Sequence, residues 1–211
     1  KWIGTLILFL ASLVMSTGCE QSVPTVIVYE TSESGHKLSP IKEAKFFKAP
    51  SEIKLNLNQK FQTSSGFGGA FTEASAHLLN QLSQSKRTEV LKAYFSVDGA
   101  AYSMARTHMN SCDISLEHYS YSPVAGDKYL KHFSIDEDRE DLIPMIKDAL
   151  EISEEGFKLF ASPWTAAPWM KDNNAWVGGK LLPEYYDTWA LFFSKYVEAY
   201  ENEGIDIWGF T

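Results

Sequence analysis

Short apolar runs alternate with amphipathic stretches from Phe61 to Thr211, and this alternation restricts the fold more than any other feature of the chain. A helix between two strands carries the chain back across a sheet, so the repeated pattern builds parallel β/α units. The spacing predicts strands over residues 66–71, 102–109, 157–162 and 205–211. A first helix is expected to start from an N-cap at Ser83 and to turn Val90, Leu91, Tyr94 and Phe95 to one side. A second, over residues 138–155, directs Leu142, Ile146, Ala149 and Leu150 inward, with Pro144 in its first turn. The third has the cleanest stripe, with Trp189, Phe192, Phe193, Tyr196, Val197 and Tyr200 spaced i, i+3, i+4, i+7, i+8 and i+11 before Gly204 closes it.

Four such units do not close a sheet on itself. A complete (β/α)8 barrel takes roughly 250 residues, so residues 61–211 correspond to the N-terminal half of one. An open doubly wound sheet alternates in the same way. The exit of the first strand argues against it: Gly66-Phe67-Gly68-Gly69-Ala70-Phe71-Thr72-Glu73 lacks the Gly-x-Gly-x-x-Gly spacing and puts a carboxylate where a pyrophosphate needs donors.

The first 60 residues differ in character. Lys1, an apolar run over residues 2–14 and the small-residue stretch Met15-Ser16-Thr17-Gly18-Cys19 have the form of a secretory signal. The ending resembles a bacterial lipoprotein signal, in which Cys19 would be the lipid attachment point, although Ser16 stands where an aliphatic residue is usual. That resemblance implies export across the inner membrane and residence in the periplasm, the outer membrane or the cell surface. Ordinary cleavage beside a free Cys19 is the alternative. Residues 20–60 read as a polar tether followed by short strands. Residues 23–29 are β-branched and apolar, 31–40 form a polar loop, and 53–58 alternate with period 2.

With Cys19 acylated, Cys112 is left alone, and neither cysteine has metal-site spacing, so neither a metal nor another cofactor is expected. A net charge of −8 without any basic run excludes nucleic acid as a partner.

Three strand exits carry the chemical groups. Glu73 follows the glycine-rich turn and is placed to face the mouth of the barrel, unless it is simply solvated. Arg106 leads the polar string Arg106-Thr107-His108-Met109-Asn110-Ser111-Cys112-Asp113, where a buried arginine needs a carboxylate to orient or a structural pair such as Asp113. Ala161-Ser162-Pro163-Trp164-Thr165-Ala166-Ala167-Pro168-Trp169-Met170 holds two indoles on a proline-stiffened loop, a surface suited to the C–H face of a sugar. Packing against a helix competes as an explanation for Trp169 more than for Trp164.

Taken together, Gly66-Phe67-Gly68-Gly69-Ala70-Phe71-Thr72-Glu73-Ala74, Tyr94-Phe95-Ser96, Ser111-Cys112-Asp113, Ala161-Ser162-Pro163-Trp164-Thr165 and Trp208-Gly209-Phe210-Thr211 resemble glycoside hydrolase family 30, the glucosylceramidase family. The resemblance implies a (β/α)8 barrel with a side β-domain and retaining hydrolysis of β-glucosidic bonds in a glycolipid or glucan. It implies substrate-binding roles for Glu73, where lysosomal members have Asp, and for Trp164, and support of the nucleophile by Arg106. The acid/base glutamate is expected in an Asn-Glu pair just past Thr211 and the nucleophile near strand seven, so the chain itself carries no catalytic residue and is expected to be inactive. A β-1,6-glucanase is one alternative for the intact form. A lipid-anchored protein that binds glycans without cleaving them is another, although half a barrel would expose strand edges and an apolar interior.

Overall fold

The computed structural model describes residues 27–41 and 54–211, which leaves the signal segment, Cys19, most of the 23–29 strand and Ile53 outside the described residues. The chain divides at Lys60 into two units. In the first, β1 (Tyr29–Glu30) pairs antiparallel with β2 (Ser39–Pro40), Tyr29 lying opposite Pro40. The loop expected over 31–40 therefore ends in a strand. The strand expected over 53–58 is not formed in its described part. Asn56 accepts the Asn58 amide on its own Oδ1 and the Gln59 amide on its carbonyl, which bends the backbone into a turn. Such local side-chain bonding competes with strand formation despite the period-2 pattern.

The second unit is built on a parallel sheet in the order β3 (Gly68–Ala70), β4 (Met104–Met109), β5 (Lys158–Pro163), β6 (Ile207–Phe210). All four strands fall within a residue or two of the expected positions, β3, β4 and β6 shorter than expected and β5 displaced by one residue. In register, Ala70 lies beside Arg106 and Arg106 beside Phe160. Ala105 and Met109 of β4 and Leu159 and Ala161 of β5 are buried in the core, which they share with the helices.

Each helix contributes the stripe its sequence carries. In α2 (Gln84–Phe95) Ser83 caps the N-terminus by accepting the Lys86 amide, and Leu91 and Phe95 are buried. Phe95 stacks on Phe71 at 5.4 Å between ring centroids, and Phe157 lies 5.1 Å from Phe95, so β3, α2 and the start of β5 meet in one aromatic cluster. Phe192, Tyr196 and Tyr200 of α5 (Tyr186–Asn202) are buried, and Gly204 ends the helix with φ +79.

Two differences from the expected helices have physical causes. The helix expected over 138–155 is broken into α3 (Asp136–Glu140) and α4 (Leu142–Ile152), with Asp141 out of helical geometry between them. Pro144 lacks an N–H, and its ring crowds the carbonyl four residues earlier, that of Glu140, so a continuous helix cannot pass. Pro144 does lie in the first turn of α4, as its chemistry requires. An additional helix, α1 (Glu73–Asn80), directly follows β3, capped by Thr72 accepting the Ser75 amide. The glycine-rich run before it hides this start from a periodicity argument.

Gly68 sets the spacing of the first strand pair. A Cβ built there would overlap the carbonyl oxygen of Met104 on β4, so only glycine permits the approach. Gly68→Ala is expected to lower stability by about 3 kcal/mol, since backbone cannot yield as a side chain tip can. The midpoint of urea unfolding checks it.

Glu203, just past α5, fastens the helices together. Its two carboxylate oxygens accept from Lys147 Nζ and Arg139 Nε, each at 2.7 Å. The Lys147 hydrogen bond first, and then that of Arg139, holds the Glu203 carboxyl below its usual 4.5. The folded state thus binds its proton less readily than the unfolded state, and the stabilisation is present above pH 4.5 and fades as pH falls through the lowered value. At neutral pH Glu203→Gln is expected to cost about 1 kcal/mol, appropriate for a partly exposed cluster. Denaturation at acid pH should show no difference between the two proteins.

Candidate active site at the strand ends

The exit of β4 is organised by Asn110, which is fully buried and left-handed, with φ +61. Its Nδ2 donates to the Thr165 carbonyl at 3.0 Å, while Oδ1 accepts the Tyr121 amide at 3.0 Å and the Ser120 hydroxyl at 3.3 Å. One side chain thereby joins the exits of β4 and β5 to the loop beyond β4. The Asn110 carbonyl accepts from His108 Nδ1 at 2.8 Å, and His108 Nε2 accepts the Glu73 amide at 3.3 Å. These two backbone partners fix the tautomer, because a carbonyl only accepts and an amide only donates.

Glu73 is the first residue of α1 and is 9% exposed. One carboxylate oxygen accepts the Leu116 amide at 3.1 Å, so the side chain is held by the loop beyond β4 and is not freely solvated. Arg106 projects its guanidinium over the Trp164 ring, 5.3 Å from the centroid. A pair with Asp113 is not formed, and among the described residues the guanidinium has no acceptor. Trp164 is 43% exposed at the end of β5, whereas Trp169 is packed, its Nε1 donating to the Ser122 carbonyl at 2.9 Å and its ring set edge-on to Tyr185. The structure thus brings Arg106 and Trp164 into contact and places Glu73 one histidine away from Asn110.

Several organising residues have no signature in the sequence. Asp138, 1% exposed, accepts from the hydroxyls of Tyr121 at 2.6 Å, Tyr200 at 2.7 Å and Tyr119 at 3.0 Å. Burial pushes its carboxyl above the usual carboxylate range, and the Tyr121 and Tyr200 hydrogen bonds oppose that rise. Lys171, 6% exposed, donates from Nζ to Thr165 Oγ1 at 2.8 Å and to the carbonyls of Trp176 and Gly178 at 2.9 Å each, so all three ammonium hydrogens are used. Desolvation lowers its pKa. Around it residues 171–181 form a tight hairpin: Lys171 bridges Leu181, and Asp172 exchanges bonds with Lys180. The three tyrosines around Asp138 meet only when distant segments are placed together, and the Lys171 contacts form only when the hairpin closes.

Two cavities of about 480 Å³ lie in this unit. One is a mainly apolar groove between α1, α2 and β3, lined by Phe71, Leu78, Leu91 and Tyr94. The other lies between the loops beyond β4 and β5, among His118, Tyr119, Glu137, Trp169, Asn174 and Trp176. Only the second gathers polar groups, and it opens at the strand ends, where parallel β/α folds place their chemistry.

The exposed indole and the arginine beneath it lie at the C-terminal ends of a parallel β/α sheet, the edge at which such folds carry their sites. A family model, the glycosyl hydrolase family 30 TIM-barrel domain, matches residues 64–211. The chain belongs to glycosyl hydrolase family 30, of which it carries part of the barrel beside a small antiparallel sheet. It is 40% identical over 193 residues to putative glucosylceramidase 4 of Caenorhabditis elegans, covering 88% of this chain and 37% of that protein. It is 38% identical over 165 residues to lysosomal acid glucosylceramidase of Mus musculus, covering 75% and 32%. The solved structure of an endo-beta1,6-glucanase superposes with a TM-score of 0.73 at 31% identity, over 87% of this chain and 41% of that one. The chain thus spans about a third of the length of the two glucosylceramidases.

Replacing Lys171 by Met removes three charge-assisted bonds and strands their acceptors. A loss of about 2–3 kcal/mol is expected, together with faster hydrogen exchange at the Asp172 and Lys180 amides, which can be followed residue by residue.

Proposed function

We propose that the chain supplies the substrate-gripping half of a retaining glycoside hydrolase that cleaves β-glucosidic bonds in a glycolipid or glucan. The observation that carries this reading is Trp164, exposed at the end of β5 with the Arg106 guanidinium against its ring. An indole face held in that way is a stacking surface for the apolar face of a glucosyl ring. The free donors of Arg106 are available to orient a carboxylate, which fits support of a nucleophile. Glu73, with one oxygen committed to Leu116, offers the other to a sugar hydroxyl.

In this reading the acid/base and nucleophile glutamates come from sequence beyond Thr211. Retaining chemistry needs them about 5–5.5 Å apart, one protonating the leaving oxygen and the other forming the glycosyl-enzyme bond. Glu73, Asp113 and Asp206 do not take those roles. The relatives named glucosylceramidase and endo-beta1,6-glucanase both act on glucosides by name, which supports the β-glucosyl assignment. Export and lipid attachment at Cys19 belong to the same proposal, since a glycolipid or a glucan is met at the cell surface.

The test is hydrolysis of an aryl β-glucoside by the chain alone and by a protein in which it is joined to the remaining barrel units. Activity is expected only in the joined protein, where Trp164→Ala should lower kcat/KM by about tenfold. A joined protein that binds glucan and hydrolyses nothing would instead support a binding protein.

A further inference from the structure

Resting on the glycoside reading, a second feature of the strand ends identifies where a longer sugar chain would go. The cleft between the loops beyond β4 and β5 has about 480 Å³, within the roughly 300–1,000 Å³ range of ligand sites. His118 from the first loop stacks on Trp176 from the second at 5.3 Å, with an interplanar angle of 13°. Trp169 and Trp189 pack against the core, but Trp176 does not. It sits on the hairpin that Lys171 fastens through the carbonyl of Trp176 itself. A buried ammonium thus holds in place an indole that makes no core contact.

The polar groups around that platform are unoccupied. Among the described residues Glu137, Asn174 and His118 make no side-chain hydrogen bond or ion pair, although each lines the cleft. Ser122 also lines it, and its hydroxyl is buried without a partner. A carboxylate, an amide and a hydroxyl beside stacked rings form the donor and acceptor set that a pyranose uses, apolar face on the rings and hydroxyls on the polar groups. Among the described residues no lysine or arginine lines the cleft, and Glu137 has Glu140, Glu73, Asp138 and Asp136 as electrostatic neighbours, so an anionic ligand is disfavoured. The cleft is also coupled to Trp164, because Lys171 bonds both Thr165, the residue after that tryptophan, and Trp176.

We infer that the His118–Trp176 cleft is a second sugar subsite, which takes a neutral hexopyranose unit of an oligosaccharide whose terminal glucosyl ring lies at Trp164. The chain is accordingly built for an extended glucan chain rather than for a single glucosyl headgroup.

Calorimetric titration of the 211-residue chain with gentiotriose and with methyl β-glucoside tests this. The trisaccharide is expected to bind at least tenfold more tightly than the monosaccharide. Trp176→Ala should remove that advantage and leave methyl β-glucoside binding unchanged, whereas Trp164→Ala should weaken both. Glu137→Gln, on an exposed position that cannot disturb the core, should weaken only the trisaccharide. Equal binding of the two sugars, or a trisaccharide affinity indifferent to both Trp176→Ala and Glu137→Gln, overturns the subsite even if Trp164→Ala retains its effect. Binding of glucosamine in preference to gentiotriose overturns the neutral-sugar assignment. Loss of the Trp164→Ala effect with the Trp176 and Glu137 effects intact would instead strike the glycoside reading at Trp164 while leaving this cleft as a sugar site.

Discussion

The mouth of the sheet depends on one buried amide. Asn110 adopts a left-handed backbone at the end of β4, which turns the chain sharply, and its side chain then satisfies three groups in two separate loops. Asparagine tolerates that backbone better than most residues, and it carries both a donor pair and an acceptor. An aspartate would lose the donor needed by the Thr165 carbonyl; a glycine would turn the chain but join nothing. The position of Trp164, one residue before Thr165, follows from this bond as much as from β5 itself.

Below the mouth, three charged side chains are each held by several partners at once. Asp138 has three phenols, Lys171 three oxygens, and Glu203, nearer the surface, two cations. Two of them join elements far apart in sequence, Asp138 linking α3 to α5 and the loop beyond β4 and Glu203 linking the end of α5 to α3 and α4, while Lys171 closes its own loop. Because a buried charge stripped of one partner is costly, these clusters define which packing is acceptable in a way that apolar contacts alone do not. Glu137, one residue from Asp138, lies outside this engagement and faces the cleft with its acidity weakened by burial and by acidic neighbours.

The strands and the helix stripes were legible because each depends on local periodicity. The Ser83 cap, the Gly204 stop and the buried faces of α2, α4 and α5 stand where the pattern put them. Features decided by competition between local and distant terms were not. Pro144 is readable as a first-turn residue, but the helix that ends just before it has no marker in the pattern. The α1 helix was obscured by the glycines before Thr72, and the strand pattern at 53–58 lost to the Asn56 turn over its described residues. At the site, Arg106 and Trp164 stood out as costly or exposed residues at strand ends. Asn110, His108, Asp138 and Lys171 are polar residues whose meaning lies wholly in what they touch across the fold.

The hairpin around Lys171 is closed at its base by the Leu181 bridge and the Asp172–Lys180 bonds, while its tip makes no core contact. In evolutionary terms it is a separable module. Substitutions at the tip alter what is presented to a ligand without moving the crossover from β5 to α5, and the ammonium at the centre maintains the loop's shape while they accumulate. A lineage carrying this hairpin can therefore vary a few surface positions with the core shielded from the consequences.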